Sequence, residues 1–244
     1  MGVKYKVDNS FFEVWSKPMA YVLGYICADG SLEDSPYIRG KYLRVSSIDR
    51  ASIENIKKAL ASEHTIVESK PDDPKRQIQY MLRIGDKKIY NDLMKRGVYP
   101  RKSLTLAFPN IPKNFLADFV RGYFDGDGCV TIERGIGTHG QVILKRLATI
   151  FTCGCRKFLV DLENKLEKSA NMSTMKIYPN QRAFQLRFST LDSYKLFKFM
   201  YEDAEGLFLQ RKYDIFREYL SIPGRSTQKR AAEILGNKAW WRSG

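Results

Sequence analysis

Histidine is almost missing from this chain of 244 residues, which holds only His64 and His139. Two imidazoles so far apart are too few to build the metal centre of a zinc hydrolase. Cysteine is nearly as sparse. Cys27, Cys129, Cys153 and Cys155 contain one close pair, and its spacing does not match a zinc knuckle, so free thiols in a reducing compartment are expected. No apolar run is long enough for a signal peptide or a membrane span. The opening Met-Gly is not followed by Ser or Thr at position 6, which is Lys, so N-myristoylation is not expected. A soluble intracellular protein with no membrane partner is the expectation. Acidic residues are the other deficit: 27 Asp and Glu face 41 Lys and Arg, a net charge of +14. That balance points to a polyanion, nucleic acid being the commonest, against the plainer reading of a basic protein with no such partner.

What is present is a globular composition, 43% hydrophobic and 28% charged, in a length that suits one large domain or two ordinary ones. The chain is organised around Leu23-Gly24-Tyr25-Ile26-Cys27-Ala28-Asp29-Gly30, which returns as Arg121-Gly122-Tyr123-Phe124-Asp125-Gly126-Asp127-Gly128. Both read as the end of an apolar helix with small residues four apart, Gly24 and Ala28 in one, Gly122 and Gly126 in the other. That spacing puts them on one helical face, where two backbones can approach closely. If the two helices pack on each other through Gly24 and Gly122, Asp29 and Asp127 come side by side at their C-terminal ends. Two carboxylates beside two negative dipole ends repel unless a cation lies between them, and a divalent metal resolves this. A lone Asp-Gly is ordinarily just a turn. Two of them, placed identically in a repeated unit, argue for more.

The rest of the chain repeats as well. Ser16 followed by Lys17-Pro18 is a helix start, and 110–114 opens the second motif helix in a similar way. After each motif the period changes from helical to alternating, so each helix runs straight into a strand. The first unit continues with a strand near 42–46, a helix at 52–61, strands near 65–68 and 77–84, and a helix near 88–96. The second answers with a strand near 148–152, a helix at 157–168, and strands near 175–178 and 183–188. Asp29 and Asp127 are 98 positions apart, Leu82 and Leu186 are 104 apart, and Lys102 and Lys212 are 110 apart, so the copies stay collinear. The expected fold is α+β: two αββαββα repeats over residues 1–109 and 110–220, followed by a basic tail over 221–244. A short helix is expected at 227–235, and Trp240 and Trp241 either cap the core or lie near a nucleic acid.

Four strands with helices on one side leave the other sheet face free. Alternation assigns to that face Ser31, Glu33, Arg44, Ser46, Gln77, Gln79 and Arg83 in the first repeat, and Thr131, Glu133, Thr149, Gln185 and Arg187 in the second. Gln and Arg are side chains that reach base edges bidentately in a major groove. A merely solvated face would carry more Lys and Glu. Two hairpin loops, 33–41 with Tyr37, Arg39 and Lys41, and 133–145 with Arg134, His139 and Gln141, are placed to extend that contact to phosphates or bases, or else are ordinary mobile tips.

These motifs resemble those of the single-chain, two-repeat LAGLIDADG homing endonucleases. Val22 to Gly30 and Val120 to Gly128 occupy the nine motif positions, with Asp29 and Asp127 as the acidic residue before the final glycine. Cys27 stands where the pattern usually has a further Asp, and Gly126 where it has Ala. The resemblance covers the chain to about residue 220. It implies a saddle with the motif helices at its centre and the sheets draped over the major groove of long, nearly palindromic double-stranded DNA. The implied activity is metal-dependent phosphodiester hydrolysis leaving short 3′ overhangs, in support of intron homing, by a monomer with internal pseudo-two-fold symmetry and no obligate protein partner. The implied metal is Mg²⁺, with Mn²⁺ as a substitute and Ca²⁺ binding without supporting cleavage. Asp29, Asp127, Ala28 and Gly126 would form the metal site, while Lys102 and Lys212, in the Arg-Lys pairs near the repeat ends, would orient water or stabilise charge. Arg-Lys before a helix is also ordinary surface. Asp125 has no carboxylate counterpart at Cys27 and reads as structural. An RNA maturase, or a non-cleaving nucleic-acid-binding protein of the same fold, is the alternative. An intein-embedded nuclease is disfavoured because no splicing residues are visible.

Overall fold

The computed structural model describes residues 5–34, 37, 40–71, 73, 75–221 and 226–236. Helix α1, Lys17–Asp29, begins where the sequence places it: Ser16 Oγ accepts from the Met19 amide at 3.2 Å, and a proline stands in the first turn. It passes without a loop into β1, Gly30–Glu33. Glycine is required at that junction by space, since a Cβ at Gly30 would lie 2.7 Å from Ile26 Cα. Then follow β2 (Tyr42–Ser47), α2 (Arg50–Ala59), β3 (Ile66–Ser69), β4 (Gln79–Ile84) and α3 (Lys87–Lys95). The start of α3 is fixed by Asp86, whose carboxylate accepts from the Lys88 and Ile89 amides. The antiparallel sheet has the order β1-β2-β4-β3. Leu43, Val45, Leu82 and Ile84 alternate onto one face and are buried together with Ile53 and Ile56 of α2 and Ile89 and Leu93 of α3.

The second copy of the pattern comprises α4 (Leu116–Asp127), β5 (Gly128–Ile136), β6 (Val142–Cys153), α5 (Arg156–Ala170), β7 (Ile177–Asn180), β8 (Ala183–Phe188) and α6 (Thr190–Tyr201). Its sheet order, β5-β6-β8-β7, repeats that of the first. Both copies are therefore αββαββα, and the fold is α+β with two four-stranded antiparallel sheets. Pro179 lies in β7 because β7 is an edge strand, where a missing amide costs no ladder bond. As a compact body the chain divides at 127/128, since α4 packs with α1. The repeat in the sequence and the body in space thus divide at different places.

Two local differences from the sequence reading have physical causes. The expected loop at 133–145 is mostly strand: β5 runs to Ile136 and β6 starts at Val142, with a bulge at Glu133/Arg134, leaving a tip closed by the Gly137 amide on the Gln141 carbonyl at 2.8 Å. The basic pair ending the first repeat lies in a 3₁₀ turn, Lys102–Leu104, whereas the second opens a full helix α7, Gln210–Leu220. Pro109 and Pro112 follow the first closely, while the second is followed by Phe216, Tyr219 and Leu220 at helical spacing. The expected tail helix is present as α8, Ser226–Leu235, with Ala231 and Leu235 buried and Lys198 Nζ of α6 donating to the Ile234 carbonyl at 2.9 Å. Trp240 and Trp241 lie outside the described residues. Among the described residues no helix is long and apolar enough to cross a membrane.

Candidate functional site

Helices α1 and α4 pack together along their small residues. A Cβ on Gly24 would lie 2.9 Å from the Tyr123 amide nitrogen and closer still to the Phe119 carbonyl oxygen. One on Gly122 would lie 2.8 Å from the Tyr21 carbonyl carbon and closer to its oxygen. One turn further on, Ala28 and Gly126 face each other, a Cβ on Gly126 falling 2.5 Å from Ala28 Cβ. That same point is 3.5 Å from Asp29 Oδ2, so the Asp29 carboxylate reaches across to α4 one residue before Asp127. Both Asp29 and Asp127 are exposed, although the helices carrying them are buried for most of their length. Asp29 and Asp127 thus end two helices, α1 and α4, that pack on each other.

Asp125 is held differently. It is buried and accepts a hydrogen bond from the Tyr21 hydroxyl of α1 at 2.8 Å. The Arg121 guanidinium lies 5.6 Å from the Tyr21 ring centroid and donates to Asp118 at 2.6 Å. These contacts make Asp125 a cross-helix fastener. Burial, then the Asp125 charge, pushes the Tyr21 phenol well above its ordinary value, and burial with the Asp29 charge pushes Tyr25 up as well. A phenol pKa raised in the folded state contributes stability that is fully present below the unfolded value near 10 and is lost as pH rises through the folded values. The urea midpoint is therefore expected to fall from pH 9 to 11, with a smaller fall in a Tyr21→Phe, Tyr25→Phe double variant. Equal falls in both proteins would show that other groups govern the alkaline limb.

Lys102 and Lys212 are not surface residues. Their exposures are 4% and 3%. Lys102 Nζ donates to the Gly30 carbonyl at 2.7 Å, and Lys212 Nζ donates to the Gly128 carbonyl at 2.6 Å. Each ammonium thus lies on the carbonyl of the glycine that follows a motif aspartate, in its own repeat. Buried ammonium groups need such acceptors to offset lost hydration. The matching anchors show that the 110-residue offset links structurally equivalent side chains.

Asp29 and Asp127, with the nearby backbone of half-buried Ala28 and Gly126, offer hard oxygen donors and no sulfur or nitrogen ligand, a set that suits Mg²⁺. Among the described residues no third His, Cys, Asp or Glu joins them, so further ligands would be water or phosphate oxygens.

On the first sheet the register aligns Ser31, Arg44 and Arg83 in one row, with Glu33 opposite Tyr42 and Ser46 opposite Met81. Gln79 continues that face on β4, and Gln77 lies exposed just before the strand. Tyr37 and Lys41 flank the adjoining loop, where Lys41 lies 3.8 Å from Asp34, while Arg39 lies outside the described residues. On the second sheet Thr131, Glu133, Gln185 and Arg187 occupy the open face, and Glu133 pairs with Arg146 at 3.3 Å. His139 and Gln141 are exposed at the hairpin tip, the Gln141 side chain accepting from the His139 amide.

Thr149, expected on the face, and Arg134, expected in the hairpin loop, are both elsewhere. Thr149 is fully buried, with its hydroxyl donating to Ser193 Oγ at 3.0 Å, because the register sets it opposite the buried Val130 and Phe188, and Leu147, Thr149, Phe151 and Cys153 share the core side. Thr152 on the opposite parity belongs to the open face, and no polarity difference between the two threonines reveals this. Arg134 follows Val130 and Ile132 in alternation, since the extra residue of the bulge is Lys145 on β6, and it donates to Glu218 of α7 at 2.6 Å, on the helix side. Alternation also passed over Tyr42, Met81, Cys129 and Ile150, open-face residues whose apolar or weakly polar character gave no signal.

Neither a comparison with family models nor one with curated proteins gives a match. Solved structures do. The homing endonuclease I-WcaI bound to its DNA recognition sequence is 14% identical with a TM-score of 0.54, the match covering 84% of this chain and 90% of that one. The I-LtrWI LAGLIDADG homing endonuclease bound to target DNA is 13% identical with a TM-score of 0.54, covering 94% and 98%. Full-length DUF199/WhiA from Thermatoga maritima is 15% identical with a TM-score of 0.52, covering 91% of this chain and 68% of that one. The chain therefore has the two-repeat LAGLIDADG fold, which WhiA also shares.

Proposed function

We propose that this chain is a site-specific DNA endonuclease that hydrolyses both strands of a long, pseudo-palindromic target, leaves 3′ overhangs and supports intron homing. The observation that supports it best is the pair of exposed carboxylates, Asp29 and Asp127, held at the ends of two tightly packed helices. A fold used only for binding has no need of that pairing, and two negative groups at two helix C-termini work against stability. Asp29 and Asp127 would hold Mg²⁺, which supplies Lewis-acid stabilisation of the phosphoryl oxygens and a water of lowered pKa. Mn²⁺ would substitute, and Ca²⁺ would permit binding without cleavage.

The protein's own part is positional and electrostatic. Lys102 and Lys212, fixed on the Gly30 and Gly128 carbonyls, hold positive charge next to each motif aspartate, where negative charge grows on the phosphate during hydrolysis. The open sheet faces, rich in Arg and Gln, set the register of the DNA by base-edge contacts, and the excess of basic residues supplies phosphate affinity. Two equivalent half-sites on one chain suit the cutting of two antiparallel strands.

The direct test is incubation of a large randomised or genomic double-stranded DNA library with the protein and Mg²⁺, followed by sequencing of the new ends. Ends clustering at one long motif with a 3′ stagger are expected. Selective retention of structured RNA, with no DNA motif cut or bound, would replace this reading with an RNA maturase.

A further inference from the structure

Arg83 and Arg187 occupy matching places in the two repeats, 104 positions apart on β4 and β8, yet they are held in different ways. Arg83 donates through Nε to Glu33 Oε2 at 2.8 Å, and its guanidinium lies 3.8 Å from the centroid of the Tyr42 ring. Glu33 also faces Arg44, whose NH1 lies 3.5 Å from Oε1 while its Nε donates to Ser46 Oγ at 3.3 Å. One carboxylate thus separates two arginines that are direct cross-strand neighbours. The Arg83 side chain is pinned at Nε and along its plane, and its two terminal nitrogens have no protein partner among the described residues. That leaves a donor fork with its orientation set in advance, the shape that matches guanine O6 and N7.

The second sheet lacks the carboxylate and the neighbouring arginine, and its ring contact is looser. Across from Arg187 stands Ile150 in place of Arg44, and Thr131 pairs with Ala148 where Glu33 pairs with Tyr42. Arg187 donates through both Nε and NH2 to the neutral Gln185 Oε1, at 3.1 and 2.7 Å, which occupies one edge of its fork. Its ring contact, with Tyr178, is longer at 5.4 Å.

We infer that Arg83 is a guanine reader of the first half-site and that Glu33 is its positioning residue, touching Arg83 and not the base, so that the two halves of the target differ in stringency at their matching positions. This rests on the DNA-reading proposal above. It assigns Glu33 the opposite role from a cytosine-contacting carboxylate, which would accept directly from a base amino group. The cost of losing Glu33 falls on orientation: the arginine keeps its charge, and so its attraction to phosphate, but no longer presents one edge.

The test is selection of bound sequences from randomised double-stranded DNA in Ca²⁺, with wild type, Glu33→Gln, Arg83→Lys and Arg187→Lys, each checked for unchanged melting. Wild type is expected to show a guanine column favoured by roughly 5- to 150-fold, the range for one good bidentate pair. Arg83→Lys should flatten that column, and Glu33→Gln should lower it at least about threefold with neighbouring columns unchanged. Arg187→Lys should alter a different column, and by less. A changed cytosine column in Glu33→Gln, or unaltered columns in a folded Arg83→Lys, would overturn the inference while leaving DNA reading intact. Should Glu33→Gln not fold, the Arg83→Lys column decides. No enriched sequence with wild type would overturn the DNA-reading proposal and this inference with it.

Discussion

Asp29→Asn and Asp127→Asn are each expected to abolish strand cleavage, by roughly a thousandfold or more, with DNA binding nearly unchanged. Asn preserves the size and one carbonyl oxygen but removes the charge that would hold a divalent cation. The two aspartates are exposed, so neither substitution disturbs the α1/α4 packing, and removing one of two neighbouring negative charges should leave melting equal or slightly raised. Cleavage of a supercoiled target plasmid, alongside a binding titration in Ca²⁺, separates the possibilities. If one variant only nicks, each aspartate serves its own strand. If both variants still cut at the wild-type rate, the carboxylates are not the metal site and the endonuclease reading loses its main support.

The second large effect concerns folding. Gly24→Ala and Gly122→Ala each place a methyl group where the partner helix backbone already lies, against the Phe119 and Tyr21 carbonyls. A helix would normally gain from Gly to Ala, by about 1 kcal/mol. Here the added carbon forces two backbones apart, and overpacking of this kind costs about 3 kcal/mol or more, outweighing the propensity gain. For a chain of this size that corresponds to a fall in Tm of roughly 6–12 °C. Gly140→Ala is the contrast: nothing lies within 4 Å of its Cβ position, and its φ of +77° costs only about 1–2 kcal/mol. Thermal melts of the three variants decide the matter. Melting of Gly122→Ala within about 2 °C of wild type would mean that the helices slide apart at little cost. Close backbone packing would then not be what holds the ends of α1 and α4 together.

Much of the fold could be read without coordinates, and the reasons are local. Ser16 with the following proline marks a helix start, small residues four apart mark a helix face, and Leu82-Arg83-Ile84 against Leu186-Arg187-Phe188 shows both the alternation and the repeat. Parity failed where composition was ambiguous. In β6 Thr149 and Thr152 are chemically alike, so only the cross-strand register, which sets Thr149 beside Val130 and Phe188, places the first against Ser193 in the core. The bulge that inserts Lys145 into β6 leaves no mark in composition, since any residue can occupy an extra place in an antiparallel ladder.

The lysines show the same division. Two Arg-Lys pairs in matching places are visible in the sequence, and so is their alternative reading as surface charge. Burial to a few per cent and the matching bonds to the Gly30 and Gly128 carbonyls exist only once the chain returns across 72 residues in one repeat and 84 in the other. Such contacts are set by the packing of whole elements, to which no short-range propensity refers. By itself the sequence determined the two collinear repeats, the α+β class, the close helix pair and its two terminal aspartates, because these depend on periodicity and on residue size at fixed spacing. Tertiary structure alone decided that both lysines are buried anchors, that Asp125 fastens to Tyr21, and that Arg83 is clamped by Glu33 while Arg187 is not. Those outcomes depend on which side chains meet across strands and helices distant in sequence, and register, bulges and the close approach of two backbones settle that meeting.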